Sequence, residues 1–322
     1  MSFVKSSKYI LSVGQICADL ITICESYPEE DLQVCAQAQY WQRGGNAGNF
    51  AEVISHLGNK VEFMGTFPDM SKMKQSIMGG IAEARYCLAE LDRARVSYEH
   101  LAFRDCQSFP STSSVLSKTT GTRTIAHYRG PLDELTIEDF AVLDLNKYCW
   151  IHFEGRKNGD VMEKEIEIIQ QHNSTKKLED RVSVSVELEL PEHASLAKLI
   201  PLADMIIISR YFARHLGFQS AIECVAKLRH QLKKGGDIVC SWGHLGAAHA
   251  RNVPDNIEQL VQAVKPERVL DTLGAGDTFQ ASLVHARLNG LDLNSTVLFA
   301  CEVASKKVAS IGYNSVIGLG IN

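Results

Sequence analysis

From Cys149 onward the chain alternates short β-rich runs with amphipathic stretches, and this rhythm constrains its fold more than any other feature. The β-rich runs are 150–153, 182–186, 205–209 and 238–242; segments 160–171, 192–199, 221–232 and 277–288 carry apolar residues at helical spacing. Short apolar strands separated by helix-length segments predict parallel pairing through crossover helices. The class is therefore α/β, with a central, mostly parallel sheet flanked by helices in three layers. Ligands of such sheets gather at the C-terminal strand ends. Glu154, Glu187, Glu189, Ser209 and Trp242 stand at those ends.

The first half reads differently. Segment 9–13 is β-prone, and 16–23 continues apolar with Asp19 as its lone charge. Asp19 either caps a turn at a strand end or faces a ligand, since an unpartnered carboxylate among Leu and Ile is costly. A polar turn at 25–31, holding Asp31, leads to 34–40, which alternates like a half-buried strand. Segments 108–118 and 123–128, joined by Thr119-Thr120-Gly121-Thr122, predict a second hairpin. Together they predict a small β-sheet lid or clasp over about 15–43 and 107–129 on a single domain. Gly44-Gly45-Asn46 opens a helix with Ala47, Phe50, Ala51, Ile54 and Leu57 on one face and Gly58 at its end. Asn46 and Asn49 share the side of its first turn. Asn46 is either an N-cap or, with Asn49, an amide pair suited to hydroxyl groups. After a short strand at 61–64, the Met- and Lys-rich segment 66–80 is expected to add a surface turn or helix before a helix at 81–91. Segment 252–266 reads as a polar loop and 295–309 as a final helix.

The chemistry concentrates in Asp271-Thr272-Leu273-Gly274-Ala275-Gly276-Asp277. A short strand at 268–270 is expected before it, and a helix at 278–288 after it, with Phe279, Leu283, Val284 and Ala286 on one face. Unpartnered N–H groups and the dipole favour an anion at a helix N-terminus, and glycines let the backbone approach it. Asp277 in the first turn adds a carboxylate able to take a proton. An ordinary capped helix is the plain alternative for the Gly-x-Gly-Asp core alone. Arg123, just after the second hairpin turn, could by itself simply decorate an edge strand. Trp242-Gly243-His244-Leu245-Gly246 follows the last strong strand, with glycines that admit a nucleotide.

The composition excludes several classes. A formal net charge of −5 offers no basic field for nucleic acid or an anionic membrane. No apolar run reaches the roughly 18 residues of a membrane span, and the opening residues carry no secretion signal. The nine cysteines, scattered without a Cys-x-x-Cys pair, are expected to be reduced thiols of a cytoplasmic protein.

The seven-residue motif resembles the second signature of the ribokinase-like (PfkB) carbohydrate and nucleoside kinases. Within that family, segments Tyr40-Trp41-Gln42-Arg43-Gly44-Gly45-Asn46-Ala47-Gly48-Asn49 and Trp150-Ile151-His152-Phe153-Glu154-Gly155-Arg156 are similar to the ketohexose-phosphorylating branch. The resemblance implies transfer of a phosphoryl group from ATP to a primary hydroxyl, with D-fructose giving fructose 1-phosphate. Asp277 would be the general base and Gly274, Ala275 and Gly276 the anion hole. Arg123 would lie over the phosphates. Asp19, Gly45, Asn46 and Asn49 would position the sugar, with Asp31 reaching in from a second subunit of a clasped homodimer. Gly243, His244, Leu245, Gly246 and Cys301 would border the nucleotide, although Cys301 reads equally as a core thiol. Mg2+ would accompany the nucleotide, with K+ a candidate further ion. The family's Asn-x-x-Glu magnesium motif is absent near 209–212, so metal ligands stay unassigned, Glu187 and Glu189 being candidates. Gly243-His244 replaces residues that are usually acidic. Another kinase of the family, or a catalytically silent sugar- or nucleotide-binding relative, remains the alternative.

Overall fold

The computed structural model describes residues 8–73 and 80–321. The first half runs β1 (Tyr9–Val13), β2 (Cys17–Cys24), β3 (Ala38–Gly44), α1 (Asn46–His56), β4 (Val61–Met64), β5 (Thr66–Pro68), α2 (Ile81–Arg93), β6 (Ala102–Arg104), β7 (Ser111–Ser117), β8 (Arg123–Tyr128) and α3 (Ile137–Ala141). The second runs β9 (Tyr148–Phe153), α4 (Gly159–Ser174), β10 (Ser183–Leu188), β11 (Met205–Ser209), α5 (Arg210–His215), α6 (Ala221–Leu228), β12 (Asp237–Ser241), β13 (Ala247–Arg251), β14 (Gln259–Val261), α7 (Ala275–Leu288) and α8 (Leu293–Val308).

The main sheet has the order β14-β13-β12-β11-β10-β9-β1-β4. Pairing is parallel from β12 to β4, and β13 and β14 add an antiparallel edge. Side chains alternate across each strand, so the sheet feeds two cores. Ile10, Trp150 and Ile207 pack with residues of α1, α7 and α8 on one face. Leu11, Ile151 and Ile206 pack with residues of α4 and α6 on the other. Those two cores make the three expected layers. The smaller sheet has the order β3-β2-β7-β8, and a parallel β2–β7 pair joins the two expected hairpins.

Several boundaries differ from expectation. No strand forms at 268–270; the N–H groups of Leu270 and Asp271 instead donate to the Val308 carbonyl, so this segment docks on the end of α8. The expected strand at 34–40 begins only at Ala38, because β2 ends at Cys24 and Ile23 pairs with Ala38, leaving earlier residues without a ladder partner. Segment 191–199 is a 3-10 helix kinked at His193, with Pro191 at its start. The loop expected at 252–266 contains β14, and β13 was not anticipated, since its Ala-rich sequence has weak strand propensity. Of the segment expected as a surface addition, Thr66–Pro68 is instead a buried strand paired with β6, and residues 74–79 lie outside the described residues.

One buried acid behind the strand ends has no hydrogen-bond partner among the described residues. Glu165 of α4 is fully buried, neither carboxylate oxygen is hydrogen-bonded, and it faces a small cavity also lined by Glu134, Glu154 and Arg156. Burial, with Asp139 adding to it, pushes this carboxyl up to about 8. The folded state therefore holds the proton in a window where the unfolded chain has released it. The stability this confers is full below the ordinary glutamate range and fades as pH rises towards 8. Glu165→Gln mimics the protonated form at every pH, so it should gain stability relative to the parent between about pH 5 and 8. Chemical denaturation at both pH values measures this; a gap that does not change with pH would contradict it.

Candidate active site

The site is built where α7 begins. Gly274 is its N-cap in the left-handed region, at φ 71°, and supplies no side-chain cap; of the first N–H groups, that of Ala275 makes only a long 3.4 Å bond to the Thr272 carbonyl. A Cβ on residue 274 would lie 1.9 Å from the Tyr313 hydroxyl oxygen, so both backbone angle and space demand glycine. The helix starts at Ala275, earlier than the apolar periodicity indicated, because Ala275 and Gly276 are already wound into its first turn. Ten consecutive residues, from Asp277 to Ala286, are buried.

Asp277 is 7% exposed, and its Oδ2 accepts a 2.7 Å hydrogen bond from the Asn49 amide. Asn49 Oδ1 in turn accepts from Arg43 at 3.0 Å, and Arg43 is ion-paired with Glu52. One turn earlier, the Asn46 amide donates to Glu189 at 2.7 Å and Glu187 at 3.2 Å. Gln280, one turn into α7, donates to Glu187. Burial, reinforced by the negative charge of Glu189, pushes Asp277 up to about 7 against the pull of the Asn49 bond. Glu187 is raised by burial and then by Glu189 and Asp277, and Glu189 is raised chiefly by burial.

The smaller sheet closes over this cluster. Asp19 of β2 is 5% exposed and accepts from the Cys17 thiol at 3.2 Å. Its carboxylate lies over Gly44, where a Cβ would come within 2.1 Å of Oδ2. Burial raises this carboxyl, while the bonds from Cys17 and Thr112 oppose the rise. Beside it, His127 of β8 is 3.1 Å from the Thr112 hydroxyl and 3.5 Å from the Gln15 amide. Arg123 of β8 donates to the Thr272 hydroxyl at 2.8 Å, linking the small sheet to the motif itself.

The structure thus brings together Asp19, Gly45, Asn46, Asn49, Arg123, Gly274, Ala275, Gly276 and Asp277. Gly45, not Asn46, is the N-cap of α1, so the capping alternative for Asn46 falls. Glu154 serves as a clamp: it accepts from the N–H groups of Gln15 at 2.8 Å and Ala47 at 3.1 Å and pairs with Arg156. Ser209 caps α5. Asp31 lies exposed in the β2–β3 connection, with φ 65°. Gly243, His244 and Leu245 form a 3-10 turn between β12 and β13, closed by Gly246. Cys301 is buried in α8 among core residues. Among the described residues no hydrogen bond joins these last six to the cluster. Sequence reasoning passed over Tyr313, Gln280 and Lys307. Lys307 carried a signal, for it falls on the apolar stripe of α8 with Thr296, Ala300 and Val303.

Comparison with known proteins bears on this geometry. The pattern of the pfkB family carbohydrate kinases matches residues 7–317. The chain belongs to the PfkB carbohydrate kinase family. It is 34% identical over 310 residues to ketohexokinase from Mus musculus, covering 96% of this chain and 99% of that protein. Solved structures of the same fold include a putative ribokinase from Agrobacterium tumefaciens (TM-score 0.77, 17% identity, covering 98% of this chain and 95% of that one). Adenosine kinase from Sinorhizobium meliloti is equally similar (TM-score 0.77, 18% identity, 98% of each chain). PfkB membership makes the chain a sugar or nucleoside kinase and implies ATP as co-substrate, typically with Mg2+. Among the described residues no group of three or more His, Cys, Asp or Glu side chains is placed to hold a metal ion, and no helix is long and apolar enough to cross a membrane.

Gly274→Ala tests the geometry of the PfkB cradle. Left-handed backbone strain and the Tyr313 contact should destabilise the fold by about 1–3 kcal/mol, read by urea denaturation. Parental stability would show that the turn tolerates a side chain.

Proposed function

We propose that the chain is an ATP-dependent ketohexokinase that converts D-fructose to fructose 1-phosphate. The observation that carries this reading is the buried Asp277 carboxylate, in the first turn of α7 and bonded to the Asn49 amide across two helices. Asp277 takes the proton from the primary hydroxyl at C1. The freed oxygen attacks the γ-phosphorus of ATP, the bond from phosphorus to the bridging oxygen breaks, and ADP leaves. The N–H groups at Gly274, Ala275 and Gly276 hold the charge on the transferring phosphoryl oxygens, with Arg123 above them. Asp19, Gly45, Asn46 and Asn49 orient the sugar. The loop Gly243–Gly246 and Cys301 border the nucleotide. Mg2+ bound to the triphosphate neutralises its charge. Glu187 and Glu189, an acidic pair close to the cradle, suit contact with that ion through water rather than a full protein cage. All nine cysteines are free, which suits work in the cytoplasm.

The same reading makes the enzyme one kinase domain that pairs with a second copy through the small sheet. By the strand register, Trp41 and Tyr128 lie on the face opposite Asp19, and both are exposed, as are Leu32 and Val34 in the connection beside Asp31. A partner's sheet would cover them and carry Asp31 to the neighbouring sugar.

Asp277→Asn should keep the fold and lower kcat by on the order of 10²–10⁴. Near-parental turnover would refute the base. For the parent, kcat/KM should rise with pH and level off above about 7, because the deprotonated Asp277 is the active form. A panel of sugars and nucleosides, with products identified by NMR, tests the substrate. Phosphorylation only of ribose or adenosine would favour another PfkB activity, and binding without turnover a silent relative. Asp31→Ala should raise KM for the sugar but not for ATP, without a large loss of thermal stability. Mixing it with Asp277→Asn should restore one composite site per mixed dimer. No recovery, with subunit exchange verified by mass spectrometry, would place Asp31 in its own chain's site or in none.

A further inference from the structure

The cradle segment is anchored to the molecule by a buried charge. The Lys307 side chain on α8 is wholly buried, and its ammonium donates to Asp271 Oδ2 at 2.6 Å and to the Asp271 backbone oxygen at 3.1 Å. Asp271 is itself 1% exposed. Its other oxygen accepts the Leu273 N–H at 2.9 Å, and Oδ2 also accepts the Gly312 N–H at 3.2 Å. The ammonium lies 5.4 Å from the centroid of the Tyr313 ring, whose hydroxyl closes over Gly274. The Leu270 and Asp271 N–H groups both end on Val308, the residue after Lys307. With no strand at 268–270, the end of α8 and the turn after it hold the motif's backbone.

Stability alone does not account for this arrangement. A buried ion pair roughly cancels its own desolvation cost, and a well-packed apolar pair of the same volume holds a fold as well or better. What an apolar pair lacks is a carboxylate to fix the Leu273 N–H and a positive charge to offset that carboxylate beside an anion site. Asp271 left uncompensated would put a buried negative charge in the segment proposed to receive a triphosphate.

We propose that Lys307 is a positioning residue for phosphoryl transfer: through Asp271 it sets the backbone of Leu273–Gly276 in the geometry that receives the phosphates, and it cancels the Asp271 charge beneath them. The proposal rests on the kinase reading and adds to it a residue that does not touch either substrate.

The test uses the full chain and two readouts, steady-state kinetics and calorimetric titration with a non-hydrolysable ATP analogue. Lys307→Met should weaken analogue binding, raise KM for ATP and lower kcat, together by about 10- to 100-fold, as expected when reacting groups are displaced by about an ångström. KM for the sugar should stay within about twofold. Ethylammonium added to Lys307→Ala should restore analogue affinity saturably, and the split between KM for ATP and KM for the sugar is what a merely structural loss would not produce. If Lys307→Met does not fold, Asp271→Asn/Lys307→Met, which leaves no uncompensated carboxylate, is measured in its place; analogue binding weaker than the parent's is still expected from the lost positioning, by less than in Lys307→Met alone. A folded variant with parental analogue affinity and parental kcat overturns the proposal, whatever its thermal stability. If the parent binds the analogue yet phosphorylates no sugar, the kinase reading fails, and the binding arm still decides the role of Lys307.

Discussion

A carboxylate held in the first turn of a buried helix is the constraint around which this molecule is arranged. Asp277 enjoys the positive end of the α7 dipole, yet it loses water on every side and faces two more acids, Glu187 and Glu189. Burial raises all three carboxyls, and neighbouring carboxylates add to the rise in each. Amides moderate the conflict. Asn49 donates to Asp277, Asn46 to both glutamates and Gln280 to Glu187. Asn46 and Asn49 sit in the first turn of α1, and Gln280 in the second turn of α7.

Those groups come from distant parts of the chain, and the main sheet is what gathers them. β1, β9 and β10 run parallel, so the turn after β1, Glu154 after β9 and Glu189 after β10 open on the same side. Glu154 then ties the turn after β1 to the start of α1 by taking N–H groups from both Gln15 and Ala47, and Arg156 holds Glu154 in place. Asn46 and Asn49 inherit their positions from that clamp. The small sheet adds the remaining wall, with Asp19 over Gly44 and Arg123 reaching Thr272.

The motif Asp271–Asp277 was legible because its chemistry is local: glycines, a helix start and a carboxylate one turn in. The face of α1 and the strands at 9–13 and 61–64 were legible for a similar reason, since apolar period and length decide them. The expected strand at 268–270 was not there because Val269 and Leu270 are exposed and the N–H groups of Leu270 and Asp271 go to Val308 at the end of α8. Lys307 was passed over because a lysine in the last turn of a helix ordinarily faces water. Its burial depends on Asp271 lying beneath it.

The sequence by itself determined the α/β alternation, the helix that carries Asp277 and the asparagine pair of α1, because spacing and side-chain type act within a few residues. Only the tertiary structure decided which carboxylates would lie together around the Asn46 and Asn49 amides. It also decided that β13 and β14 would pair antiparallel at the sheet edge, and that a lysine charge would sit under the cradle. Burial and charge compensation are sums over neighbours that the chain brings together from both halves of its length, and no local pattern contains them.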